Sequence, residues 1–340
     1  MNRFAWMSAR TVSEAATAAS AIVADAMSTS PMGDISVVKA GGIDLLDLLK
    51  EDLLAPNALV NLGAVPGLDI IADDQGGGLR IGPMVTLAAL AGHAAIRMRY
   101  PALADAVQRS ASPQIRNVAT LGGNLLQRPR CWYFRAAEFH CLRKGGTHCF
   151  AIPGENQYHA IFDNMPCAIV HPSTAATALV ALGASVELTD ANGTVRKLLL
   201  EDFFGPPDKD IHRENDLKPH EILTAIRLPI LPASVRMAHL KQGEKDSFDW
   251  PLADVAVVLD FNRDGRCKTA AVVLGAAAPA PHRAKTAENI LAGKHIDDAL
   301  ALQAAHAAME DATPLSKNAY KLPLFETLIR RAILAAESPS

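Results

Sequence analysis

Four cysteines crowd into one stretch of an otherwise cysteine-poor chain. The sequence has 340 residues and five cysteines. Cys131, Cys141, Cys149 and Cys167 stand close together, and no cysteine precedes Cys131. A reducing compartment gives structural disulfides little use, so a tight group of four thiols points to metal. The spacing is C-x9-C-x7-C-x17-C. It lacks the paired C-x2-4-C knuckles of zinc ribbons and the C-x2-C-x2-C run of ferredoxins. Spread thiolates are compatible with a [4Fe–4S] cluster held by a folded loop. A structural zinc and free thiols are the competing readings. Cys267 stands alone on an expected strand and reads as a structural thiol.

Two glycine pairs are the second signal. Gly41-Gly42 follows the β-branched run Ser36–Lys39 and precedes the apolar-periodic stretch Ile43–Lys50. Gly122-Gly123 lies in the turn-rich segment 112–127, between Thr120 and Asn124. Glycine has no Cβ and accepts positive φ, so the two pairs can line two sides of one phosphate groove with backbone N–H donors. Thr120 and Asn124 can add side-chain hydrogen bonds. Taken singly, each pair also fits a plain tight turn.

The elements that must position these residues follow from periodicity. Apolar spacing predicts helices over 12–27, 43–50, 86–96, 102–110, 175–182, 284–292, 297–309 and 323–336. Strands are expected at 36–39, 58–62, 68–72, 79–81, 185–189, 194–198, 221–228, 236–240, 255–261 and 269–274. Segment 128–168 has no clean period, and 205–220 reads as a polar, Pro-rich loop. The Pro229–Pro232 stretch is the expected domain boundary.

Composition narrows the function classes. Hydrophobic residues make up 49% and charged residues 20%, enough for a sizeable core and against disorder. The net charge is −3 and aromatics are 5%, which argues against a nucleic-acid binder. No apolar run reaches the ~18 residues of a membrane span, and the N-terminal stretch, with Glu14 and Asp25, reads as a folded helix and not a signal peptide. The expected location is cytoplasmic, with export only as a passenger on a partner. No G-x-S-x-G, H-E-x-x-H or P-loop is present, which fits a redox relay whose cofactors carry the chemistry.

Three stretches resemble one family. KAGGIDLLDLLK (39–50) and IRNVATLGGNLLQ (115–127) are similar to the two FAD loops of the flavoprotein, or medium, subunits of molybdenum hydroxylases, the xanthine dehydrogenase class. LGAAAPAPHRAKTAENILAG (274–293) is similar to their C-terminal signature. The resemblance runs from near residue 1 to about residue 335. It implies an α+β fold: a two-lobed FAD-binding domain of the PCMH, vanillyl-alcohol-oxidase-like type over 1–229, with lobes of about 1–57 and 58–229. A C-terminal domain of the CO dehydrogenase flavoprotein type would span 230–340. It implies FAD contacts from Lys39, Ala40, Gly41, Gly42, Ile43, Asp44, Leu45, Ser112, Ile115, Thr120, Gly122, Gly123, Asn124 and Ile169. Lys241 sits where relatives place a basic residue near the isoalloxazine; an ordinary solvated lysine is the other reading. Ile43 stands where relatives usually have Thr, and Thr174 where they commonly have Asp.

Ordinary members lack the insertion 128–168. RCWYF, GGTHC and GENQYHAIF resemble the FAD subunit of periplasmic aldehyde oxidase, and a 4-hydroxybenzoyl-CoA reductase subunit shares the feature. This implies Cys131, Cys141, Cys149 and Cys167 as ligands of a [4Fe–4S] cluster. Arg128, Arg130, Arg135, Arg143, Lys144, His140 and His148 would stabilise it, or form a solvated or docking surface. By resemblance, a small subunit carries two [2Fe–2S] clusters and a large one the molybdenum cofactor. Electrons from aldehyde oxidation would pass through this chain's FAD to a terminal acceptor. A reductive enzyme with the opposite electron flow and a stand-alone FAD oxidoreductase are the alternatives. On this reading, Val at either Gly41 or Gly123 costs flavin and leaves the chain folded.

Overall fold

The computed structural model describes residues 1–28, 34–245 and 248–338; positions 339–340 of the expected C-terminal domain lie outside them. The strands are β1 (Ala5–Ser8), β2 (Ser36–Lys39), β3 (Ala58–Asn61), β4 (Ile71–Asp73), β5 (Leu79–Ile81), β6 (Ser185–Asp190), β7 (Val195–Leu199), β8 (Glu221–Leu228), β9 (Val235–Gln242), β10 (Ala253–Phe261), β11 (Cys267–Gly275) and β12 (His282–Arg283).

They form three sheets. A small parallel sheet has the order β1-β3-β2. Its central strand, β3, begins at the division expected at 57/58 and pairs with β1 and β2 from before it. An antiparallel sheet, β4-β5-β8-β6-β7, packs its apolar face on the helices Leu87–Gly92, Pro101–Gln108 and Thr174–Ala181. The last of these is buried at every position, its two threonines included, which fits a pattern of small and apolar residues with no polar face. The third sheet, β12-β11-β10-β9, carries Lys285–Leu291, Asp298–Ala307 and Lys321–Glu337 on one face. Alternate residues of β10 point to opposite faces: Val255, Val257 and Leu259 meet those helices, whereas Ala256 joins the core of the second sheet.

Two differences from the sequence reading matter for the site. The helix expected over 12–27 is two helices, Val12–Ala18 and Val23–Ser28. The chain leaves the first at Ala19, whose N–H still bonds to Ala15 O, and the break opens onto the main cleft. Segment 128–168, for its part, is built into the molecule. Phe134 and Cys141 pack with Leu45, Leu48 and Leu49 of the helix Ile43–Lys50, and Ile161 and Phe162 belong to the C-terminal core. Lys321 Nζ, fully buried, donates to His159 O at 3.1 Å and Ala276 O at 2.6 Å. Asn318 Nδ2 bonds to the carbonyls of His159 and Ala160. Among the described residues, no helix is long and apolar enough to cross a membrane.

Candidate functional site

The helix Ile43–Lys50 starts from Gly42, whose φ of +88° is a left-handed conformation that favours glycine. The first N–H groups of such a helix have no intrahelical partner, and Gly41, Gly42 and Ile43 line a cleft of about 380 Å³, a size usual for cofactor sites of roughly 300–1,000 Å³. The segment expected as a loop over 112–127 holds two short helices, Pro113–Arg116 and Leu121–Leu125. Its glycines bring their backbone into the opposite wall. Ala40, Asp44, Leu45, Ile115, Thr120, Gly122, Gly123, Asn124 and Lys241 line the same cleft.

The glycines have unequal roles. A Cβ on Gly41 would lie 2.3 Å from Val118 O, and one on Gly122 2.6 Å from Pro83 Cβ. These two let the loops abut each other and the neighbouring backbone. A Cβ on Gly123 would meet only Thr120 Oγ1 inside 3.4 Å, at 3.1 Å. Gly122 N donates to Pro83 O at 2.8 Å and Gly123 N to Thr120 Oγ1 at 3.2 Å. The second loop's amides are thus satisfied internally, and its contribution to the cleft is bare backbone plus the Thr120 and Asn124 side chains. Asn124 Oδ1 accepts from Ser173 Oγ at 2.5 Å.

Three expected contacts sit elsewhere. Lys39 Nζ reaches Asn61 Oδ1 at 3.3 Å and lies over the Trp6 ring. Ser112 Oγ caps Pro113–Arg116 by accepting from Ile115 N. Ile169 lines the cysteine cavity. Lys241 is half-buried at the cleft, donates to Arg109 O at 2.9 Å, and has its pKa lowered by burial, against the pull of Asp254.

Cys131, Cys141, Cys149 and Cys167 all face one small cavity, closed by Tyr133, Phe134, Arg143 and His159. Burial pushes the Cys131 thiol up to about 12. Cys149 falls to about 5 because Cys167 hydrogen-bonds to it, with the amides of Ala168, Ala151 and Ile152 helping. The same shared bond raises Cys167. His159 Nε2 lies 3.2 Å from Cys131 Sγ, and burial lowers the ring to about 4, so it is neutral there at pH 7. Among the described residues, no three His, Cys, Asp or Glu side chains are gathered to hold a single metal ion. Cys267 is fully buried on β11, raised to about 11 by burial, and apart from this group.

The arginines and the lysine of the segment are committed to partners within the protein. Asp44 accepts from Arg128 N at 2.8 Å, Arg130 Nη2 at 2.8 Å and Arg135 Nη2 at 2.6 Å. Asp47 pairs with Arg135 at 2.9 Å. Lys144 Nζ donates to Ala136 O at 2.6 Å, and the His148 ring packs on Phe150. His140 is exposed.

Comparison with known proteins agrees with this geometry. Residues 2–231 match the FAD binding domain in molybdopterin dehydrogenase, and residues 238–336 match the CO dehydrogenase flavoprotein C-terminal domain. The chain belongs to the FAD-binding subunits of the molybdenum hydroxylase family. The aldehyde oxidoreductase FAD-binding subunit PaoB of Escherichia coli is 34% identical over 305 residues, 88% of this chain and 91% of that one. The carbon monoxide dehydrogenase medium chain of Afipia carboxidovorans is 27% identical over 93% of this chain and 94% of its own. Quinoline 2-oxidoreductase from Pseudomonas putida 86 superposes with a TM-score of 0.73 at 25% identity, covering 99% of this chain and 97% of that one.

For a molybdenum hydroxylase flavoprotein, the two glycine loops fit FAD: bare backbone, helix-start amides and apolar walls converge on one cleft. Sequence reasoning missed part of the wall. Residues 213–215 and 217–223, the helix break at Ala19–Ile22, and Trp250 also line it. The Gly-Gly motifs carry no trace of these, because they arrive through tertiary folding. Thr174 turns its hydroxyl to Ser110 and to Ala106 O.

The Asp44 pairs join the first glycine loop to the cysteine segment, so Asp44→Asn should lower stability by roughly 1–3 kcal/mol, the cost of weakening charge-assisted bonds at a largely buried carboxylate. Chemical denaturation of the purified chain measures this. An unchanged midpoint would show that the pairing holds nothing together.

Proposed function

We propose that the chain is the FAD- and [4Fe–4S]-binding electron-transfer subunit of a heterotrimeric molybdenum-containing aldehyde oxidoreductase. The convergence of Cys131, Cys141, Cys149 and Cys167 on one cavity carries the iron–sulfur part. A single ion would need its sulfurs within about 2.3 Å of one point, whereas a cubane spreads four thiolates over four irons. The donor set therefore suits a cluster better than a zinc. The similarity to PaoB supports the aldehyde oxidoreductase class.

FAD, when bound, supplies exchange between one- and two-electron carriers. The chain's own residues do the rest. Gly123 and the start of the helix at Ile43 present backbone to the cofactor. Thr120 and Asn124 offer hydrogen bonds, and Leu45 and Ile115 exclude water. Arg143 and the neutral His159 ring give the thiolates a cation and a hydrogen-bond donor, which favours the more reduced, more negative state. The substrate site lies on a molybdenum-cofactor large subunit, and a small [2Fe–2S] subunit stands between it and this chain.

Anaerobically purified chain should contain one flavin and about four irons, and should turn over aldehyde only with its partner subunits. One zinc and no iron would replace the cluster with a structural site. An isolated chain that oxidises aldehydes at the full rate would make it a stand-alone flavoenzyme.

A further inference from the structure

The flavin cleft and the cysteine cavity share a buried wall of three charged residues. Glu214 Oε1 accepts from Arg143 Nη1 at 2.6 Å, and Oε2 pairs with Arg128 Nε at 3.1 Å. All three side chains are almost wholly buried. Arg143 and Cys167 also interact electrostatically. Arg128 and Glu214 line the cleft, while Arg143 and Cys167 line the cysteine cavity. A parallel strut holds the pair: Arg128 Nη2 donates to His212 O at 3.1 Å, and His212 Nδ1 lies 3.2 Å from Arg143 O.

The charges do not balance. One carboxylate stands between two guanidiniums, and a buried cation needs a counter-charge. Asp44 lies near Arg128 but is shared with Arg130 and Arg135, so the further anions that would serve the pair are a metal-held thiolate at Cys167 on one side and the phosphates of a dinucleotide on the other.

We propose that Arg128, Glu214 and Arg143 form a bridge that makes flavin binding depend on the filling of the cysteine site, with Glu214 as its positioning residue. This rests on reading the cysteines as an iron–sulfur site. Metal at the thiolates fixes Cys167 and gives Arg143 an anion. Arg143 then holds Glu214, and Glu214 holds Arg128 in the cleft wall. A ligand that meets a wall already ordered binds more tightly than one that must order it. With the cysteine site empty, Cys167 is not fixed by metal and Arg143 is anchored through Glu214 alone, so the bridge is held at one end only and the cleft wall is less ordered.

The test is the FAD dissociation constant of the full chain, measured anaerobically by flavin fluorescence. Four samples are compared: wild type and Glu214→Gln, each reconstituted with iron and sulfide or stripped by a chelator. Stripping should weaken FAD binding in the wild type by roughly 5- to 150-fold, the usual range of coupling between sites. In Glu214→Gln the ratio of the two constants should fall towards one. A residue that only supports the fold would lower both affinities and keep their ratio. Arg143→Lys keeps the charge and loses the guanidinium fork; its ratio should also shrink, and it carries the test if Glu214→Gln does not fold. Equal affinities in loaded and stripped wild type would overturn the bridge and leave the cluster standing. A wild-type ratio preserved in the variants would likewise overturn it. A wild type that takes up no iron would overturn the cluster reading, and the bridge with it.

Discussion

Serine at any one of Cys131, Cys141, Cys149 or Cys167 should remove most of the iron from the chain, and serine at Cys267 should remove none. Each iron of a cubane takes one protein thiolate, so each of the four is required, whereas Cys267 lies apart on β11. The four substitutions should differ in their cost to the fold. Cys131 and Cys141 pack against the core around Leu48 and Phe134, so changes there disturb packing as well as ligation. Cys149 is less buried and is held by backbone amides, which a serine oxygen can still accept from. Metal sites lend their binding energy to folding, but here the segment has anchors of its own. Asn318 and Lys321 fix the backbone at His159 and Ala160, and Arg130 and Arg135 hold it to Asp44. Loss of iron should therefore loosen the surroundings of the cavity without unfolding the chain. Iron analysis, electron paramagnetic resonance of the reduced protein and hydrogen exchange of residues 128–168 would read the three effects. Full iron in any of the four variants would remove that cysteine from the ligand set.

The contrast between local and distant partners explains what could be read from the sequence. The glycine loops were legible because their geometry is local: the first is a strand, a Gly pair and a helix start within a dozen residues. The four cysteines were legible as a group for the same reason. Glu214 was not. It lies in a polar, Pro-rich stretch, and nothing near it in sequence shows that it meets Arg128 and Arg143, which come from far earlier in the chain. Arg128, Arg130, Arg135 and Arg143 read either as cations for the cluster or as a solvated or docking surface, because a charge pattern cannot show which carboxylates fold against it. The break at Ala19–Ile22 was hidden for a different reason. Apolar and small residues continue through it in helical register, and only contact with the rest of the cleft decides where the helix stops. Segment 128–168 had no period to find, since its order comes from single side chains bonding to backbone carbonyls, as Asn156 Nδ2 does to Ala151 and Ile152.

The unequal glycines give the sharpest test of the flavin site. Gly123→Val should weaken FAD binding by roughly 5- to 150-fold, because overpacking a close contact costs about 1–3 kcal/mol. The chain should stay folded. The position is helical, where replacing glycine gains up to about 1 kcal/mol for alanine and less for a β-branched residue. Its only tight neighbour is Thr120 Oγ1, so that small gain offsets the disturbed cap. Gly123→Ala should show the same effect in smaller measure, since a single methyl intrudes less than a branched side chain. Gly41→Val should behave differently. Its Cβ would collide with Val118 O, backbone that cannot rotate away, so the two loops must separate and stability must fall together with flavin. The sequence alone predicted the same outcome at both positions, and the structure separates them. Thermal unfolding of the flavin-free proteins, set beside FAD titrations, distinguishes the two. A Gly123→Val chain that is folded and binds FAD as tightly as wild type would show that the cofactor does not approach the backbone at Gly123, and the second glycine loop would lose its place in the site.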